Sequence, residues 1–139
     1  LYASRDSAEF QAEERQLAQA LARLLIDLGI LEAVEWREKP KSCFLSMFAL
    51  GAMHWKISVL NASLGYLWMW AENQVLAAIK LVPLGQTSGQ RILSSITDII
   101  PNIVSQGSSM NDEDIGFSAT GQSMSSALHE TQYTRLFRS

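Results

Sequence analysis

Residues 63–82 run without a proline and with one glycine, Gly65. Apolar side chains recur at Leu60, Leu64, Leu67, Trp68, Ala71, Val75, Ala78, Ile79 and Val82, the i, i+3, i+4, i+7 spacing of a helix face. Tyr66, Met69, Trp70, Leu76, Ala77 and Leu81 spread apolar surface round most of the remaining circumference. A helix apolar on nearly all sides is expected inside a domain. At about 1.5 Å per residue it is roughly 30 Å long, the width of a small domain. Asn61 or Ser63 can cap its start, since either offers an oxygen to an orphan backbone N–H. Pro83 pushes Val82 to an extended conformation and ends the helix. Glu72, Asn73, Gln74 and Lys80 interrupt the apolar run. The cost of charge in hydrocarbon therefore favours a core helix in water over a membrane span.

The flanking segments are also helical in pattern. Over 7–28, Phe10, Leu17, Leu21, Leu24, Leu25 and Leu28 form an apolar stripe, and Glu13, Glu14, Arg15, Gln19, Arg23 and Asp27 a solvated side. Asp6 and Glu9 have the spacing of a reciprocal N-terminal cap. Arg23 and Asp27 sit at ion-pair spacing, and Gly29 at a C-terminal cap. Residues 29–41 connect, with a helical turn over 31–36. A short apolar helix is predicted over 42–57, weakened at Gly51 by about 1 kcal/mol relative to alanine. The next helix is predicted over 87–100, capped by Thr87, with Arg91, Ile92, Leu93, Ile96 and Ile99 on one side and Pro101 as its stop. Residues 102–110 read as a loop and 111–115 as an acidic turn. A weak helix follows over 117–130, where serine and glycine dominate. No stretch alternates long enough to predict a strand. The expectation is an all-α protein, one bundle-like domain of about five or six helices over 1–139.

Several chemistries are excluded. A net charge of −3 provides no basic patch for nucleic acid. The single cysteine, Cys43, precludes an internal disulfide and suits a reducing cytoplasm. Cys43 and His54 lie about three turns apart on one helix and cannot chelate together, so a structural role is expected for each. No charged region followed by an apolar run marks a signal peptide after Leu1, and the absence of an initial methionine suggests a piece of a longer protein. The segment from Gly85 to Arg91 precedes a helix and holds two glycines, but its spacing and its Gln90-Arg91 ending do not match a phosphate loop. A tight helix–helix corner, with glycine allowing positive φ or close backbone approach, accounts for it better. Asp112, Glu113 and Asp114 lack the distal carboxylate of a calcium loop, Ser123 standing in its place. His129, Glu130, Ser125 and Ser126 do not form a nucleophile elbow. No metal site or cofactor is assigned, and His129 is at most a transient ligand.

The residues left with a candidate role are charged, amide or aromatic side chains near helix ends and the C-terminus. Lys80 ends the central helix, where it either extends to water and suits the helix dipole or offers a cation to a partner. Gln86 and Gln90 either bond the turn or face a partner. Tyr133, Arg135, Leu136 and Phe137 place aromatic, basic and apolar anchors in a terminus that would otherwise fray. Residues 131–139 are therefore expected to be a partner-binding tail that orders on binding.

Residues 66–93, YLWMWAENQVLAAIKLVPLGQTSGQRIL, closely resemble the signature of the UreF family of urease accessory proteins. The matching positions are Leu67, Trp68, Trp70, Glu72, Asn73, Gln74, Ala77, Ala78, Lys80, Val82, Pro83, Leu84, Gly85, Gln86, Gly89 and Gln90. Arg5 to Glu9 with Glu13 and Glu14, and the ending from His129 and Glu130 through Tyr133, Arg135, Leu136 and Phe137, also resemble the family. The likeness is weakest over 29–61. The resemblance implies a non-enzymatic, homodimeric, cytoplasmic maturation chaperone preceded by further N-terminal helices. It implies that the protein binds the accessory protein UreH (UreD), recruits the GTPase UreG, and so delivers nickel to apo-urease. On it, Lys80, Gln86, Gln90 and Arg91 become candidate partner contacts. The alternative is a small-ligand binder or enzyme with a pocket among Trp55, Tyr66, Trp68 and Trp70.

Overall fold

Ser7 opens the first helix, α1 (Ala8–Asp27), its hydroxyl accepting from the Phe10 N–H at 3.2 Å. The computed structural model describes residues 5, 7–39, 42–82, 84–116 and 119–133. The expected partner of Glu9 in a reciprocal cap, Asp6, lies outside them. At the other end, the Ile30 N–H bonds the Leu25 carbonyl and the Gly29 N–H the Ile26 carbonyl, both at 2.9 Å, with Gly29 at φ +89°. That is a Schellman termination, and the apolar contact that completes it joins Ile30 to Leu25.

The chain divides into two compact units, Leu1–Gly51 with Glu113–Ser139, and Ala52–Asp112. The core of the first holds Ala18, Ala22, Leu25, Ile30, Ala33 and Met47, with Leu21, Ile26, Trp36 and Leu50 packed against it. A 3₁₀ helix, Leu31–Trp36, provides the turn expected there. The buried face of α1 is Glu14, Ala18, Ala22 and Leu25. Leu17, Leu24 and Leu28, expected on the core stripe, are about half exposed. Glu14, expected on the solvated side, explains the rotation. Its Oε1 accepts from the Phe44 N–H at 2.8 Å and its Oε2 pairs with Arg5 at 2.6 Å. This turns the Glu14 side inward, and the small alanines allow the 3₁₀ segment close. The Arg23–Asp27 ion pair does not form.

Phe44 begins α2 (Phe44–His54), shorter at both ends than expected and unbroken at Gly51. Cys43, just before it, is buried, as a structural cysteine is. Beyond α2, the Lys56 N–H bonds the Met53 carbonyl and the Ile57 N–H the Ala52 carbonyl, with Lys56 at φ 56°. This is a second Schellman motif with a lysine in the position glycine usually holds.

The second unit is a helical hairpin. In α3 (Val59–Leu81) the cap is Ser58, whose hydroxyl accepts from the Asn61 N–H, rather than Asn61 or Ser63. Val82 is extended, at φ −114° and ψ 146°, as a residue before proline must be. The helix is not the buried rod its composition suggested. Only Ala71 and Val75 are buried, while Trp70, Leu76 and Leu81 are 55%, 41% and 62% exposed. The reason is that, among the described residues, α3 packs chiefly on one helix, α4 (Gln86–Ser108), through Ala71, Val75, Leu93, Ile79 and Ile96. Thr87 does not cap α4. Gly85 is the N-cap and offers no side-chain bond. Pro101 does not stop it either, and residues 102–108, expected in a loop, are helical. The proline removes the donor to Thr97, but Ile100 and Val104 are buried on either side of it and hold the next two turns in register. Ile92 and Ile99 lie outside the packed side.

A short 3₁₀ turn, Asp112–Asp114, forms the acidic segment. It leads to α5 (Thr120–Glu130), later in starting than expected. Among the described residues every regular element is helical, as an all-α fold requires.

Candidate partner-binding site

Gly89 sets the geometry of the α3–α4 corner. A Cβ there would overlap the Ile79 side chain, coming within 2.9 Å of its Cγ1 and 3.4 Å of Val75 Cγ1. The first turn of α4 therefore lies directly on the last turns of α3. Of the two expected reasons for glycine at this corner, close approach is the operative one, since neither Gly85 nor Gly89 has positive φ. Lys80 lies in the last turn of α3, and Gln86, Gln90 and Arg91 lie in the first turns of α4. All four are exposed. The first turn of α4 carries no acidic residue and no side-chain cap, so its unpaired N–H groups add positive potential to that of Lys80 and Arg91. Lys80 also sits where a cation complements the C-terminus of α3, so both readings of this residue are compatible with its place.

The C-terminal candidates are served by contacts that the sequence analysis missed. Ser126 Oγ donates to Ser7 Oγ at 2.7 Å. His129 Nδ1 meets Glu9 Oε2 at 2.7 Å. Glu130 Oε1 accepts from the Ala8 N–H at 2.7 Å, one of the orphan donors of a helix N-terminus. The end of α5 is thus fastened to the start of α1, and Tyr133, three residues on, is fully exposed at 103% of its reference area. Arg135, Leu136 and Phe137 lie outside the described residues. No local pattern marks this fastening, and the sequence offers only the family likeness of its two ends. The Ser7–Glu9 pair and the His129-Glu130 pair both belong to the segments on which the family resemblance rests.

Of the residues expected to line the alternative pocket, three tryptophans are open to solvent over much of their surface. Trp55, Trp68 and Trp70 are 53%, 38% and 55% exposed. A shallow cleft of about 340 Å³ in the first unit is lined instead by Gln19, Arg23, Arg37 and Glu38. Among the described residues no three histidine, cysteine or carboxylate side chains converge as metal ligands, and no helix is long and apolar enough to cross a membrane.

Residues 1–97 match the family described as UreF. Over 139 residues the chain is 47% identical to the urease accessory protein UreF of Alkalilimnicola ehrlichii, covering all of this chain and 61% of that protein. It is 43% identical to the UreF of Hahella chejuensis, covering 62% of it, and 42% identical to UreF 2 of Brucella anthropi, covering 61%. The chain thus spans about three fifths of the length of these curated relatives. No solved structure matches it.

Proposed function

The chain belongs to the UreF family, and on that premise we propose that it is a non-catalytic adaptor in urease maturation. It binds the accessory protein UreH (UreD) through its C-terminal tail. With that partner it recruits the GTPase UreG to apo-urease and regulates it there, so that nickel is inserted. It works in the cytoplasm as a homodimer and carries no cofactor. Nickel is cargo rather than a resident ion.

The observation that carries this reading is the exposure of Tyr133 at the end of a helix fastened to α1. An aromatic residue with no cover, at a defined point on the molecule, is a typical interface anchor. The cationic corner of Lys80, Gln86, Gln90 and Arg91 supports a second contact, with the GTPase. An adaptor regulates a GTPase only by binding one nucleotide state more tightly than the other. The corner can do so by touching an element that moves with the nucleotide. Scaffolding fits better than an arginine finger, which is a claim about transition-state charge.

The test is a pull-down of the UreH-type partner, then of the GTPase, with the intact chain and with a truncation ending before Tyr133. The expected result is capture by the intact chain and none by the truncation. Lys80→Glu with Arg91→Glu should keep the first partner and lose the GTPase. Equal capture by all three proteins would remove the tail and the corner from the interface.

A further inference from the structure

The last helix is turned the opposite way from one that packs by burying apolar surface. The half-buried residues of α5 are Ser123, Ser126, His129 and Glu130, which recur every three to four positions along one side. Met124 and Leu128, one turn apart, are 64% and 68% exposed. No described residue of α5 is buried. Apolar burial, ordinarily the main force that docks a helix, contributes little here. The contacts described between α5 and α1 are polar and gathered at the C-terminal end of α5, on Ser7, Ala8 and Glu9.

We propose that α5 is a latch: it exchanges between a form docked on the first turn of α1 and a released form, and Ser7, Glu9, Ser126, His129 and Glu130 set the balance. Two physical facts make release accessible. Hydrogen bonds between partly exposed groups shift an equilibrium by roughly fivefold to tenfold each, so a handful of them leaves the open form within reach of local fluctuation. A helix shorter than about 12 residues is marginal on its own, and this one is rich in serine with a glycine, so release also unwinds it. Unwinding lengthens each residue from about 1.5 Å to about 3.3 Å. The reach of Tyr133 from its anchor roughly doubles. The latch rests on the contacts of α5 with α1. Its use, extending the tail toward a partner, rests on the adaptor reading above.

Hydrogen exchange followed by mass spectrometry on the 139-residue chain, with no partner present, tests the latch separately from that reading. Amides of 123–130 should exchange faster than those of 18–25 in α1 and 96–104 in α4. His129→Phe and Glu130→Ala should each accelerate 123–130 by about fivefold to tenfold and leave the other two segments unchanged. Unaltered exchange in 123–130, or acceleration of all three segments together, would overturn the proposal. A second arm joins the two ends covalently. Ser7→Cys with Ser126→Cys, oxidised, should slow exchange in 123–130 by about fivefold or more, and reduction should restore it. Exchange in 123–130 that stays as fast in the oxidised protein would show that undocking from α1 does not control it, and the latch would be abandoned.

Discussion

Removing the Glu14 carboxylate takes away two interactions at once. It is the acceptor for the first N–H of α2 and the partner of Arg5. Glu14→Ala should destabilise the chain by about 2–3 kcal/mol, because it leaves the Phe44 N–H without that acceptor in a partly buried place. Glu14→Gln keeps an oxygen for Phe44 and loses only the ion pair, whose arginine is 41% exposed, so it should cost about 1 kcal/mol or less. Urea midpoints at constant m separate the two variants. Equal losses would mean that charge, not capping, is what Glu14 provides. Lys56 tests the opposite direction. It holds a left-handed conformation that costs a side chain about 1 kcal/mol or more. Lys56→Gly should therefore raise the stability by about 0.5–1 kcal/mol after the entropy glycine gains in the unfolded chain is subtracted. A fall in stability would mean that the lysine side chain makes a contribution its backbone does not reveal.

At the scale of elements, two glycines in one hairpin should respond with opposite signs. A Cβ at Gly89 meets Ile79 and Val75, whereas one at Gly65 meets nothing within 4 Å. Gly89→Ala should destabilise by about 1–3 kcal/mol through overpacking. Gly65→Ala should stabilise by about 1 kcal/mol through helix propensity. Thermal melts of the pair decide it, and two changes of the same sign would mean that the close approach of α4 to α3 is not what Gly89 serves. The same hairpin shows what could be read in the sequence and what could not. The existence of all five α-helices, the extended Val82 and the termination at Gly29 were legible, because periodicity and local steric rules act within a few residues. The end of α4 was not, because Pro101 is a local veto that Ile100 and Val104 override by burial, and burial is tertiary. The face of α1 was not legible either. Leucines and alanines occur all round that helix, and Glu14, an acid that reads as solvated, is what selects the alanine side. At the candidate site, the corner residues were legible as polar or charged groups at a helix–helix turn, and they are exposed, whereas the clasp joining Glu9 to His129 and Ala8 to Glu130 spans most of the chain and has no local signature.

For the molecule as a whole, the question raised by α3 is what covers it. A monomer rarely exposes a contiguous apolar patch of more than a few hundred Å². Trp70, Ala77 and Leu81 recur at helical spacing on the side away from Ala71 and Val75, and all three are exposed. In the first unit, Leu17, Leu24 and Leu28 make a second exposed stripe. The homodimer proposed above needs about 800 Å² from each copy, and the two stripes are rival sources of it. Tryptophan is strongly enriched among residues that dominate binding energy and leucine is under-represented, so the α3 stripe is the one expected at the dimer centre. Trp70→Lys should then convert the chain to a monomer in sedimentation velocity over the micromolar range, and Leu24→Lys should leave the dimer intact. Tryptophan emission provides an independent reading. In the dilute chain it should be that of water-exposed indole, moving to shorter wavelength as concentration rises, and the shift should be much reduced in Trp70→Lys. If Leu24→Lys alone produced the monomer, the dimer would be built on the first unit. The α3 face would then be open to another partner, and the cationic corner at its end would be where the contact with that partner begins.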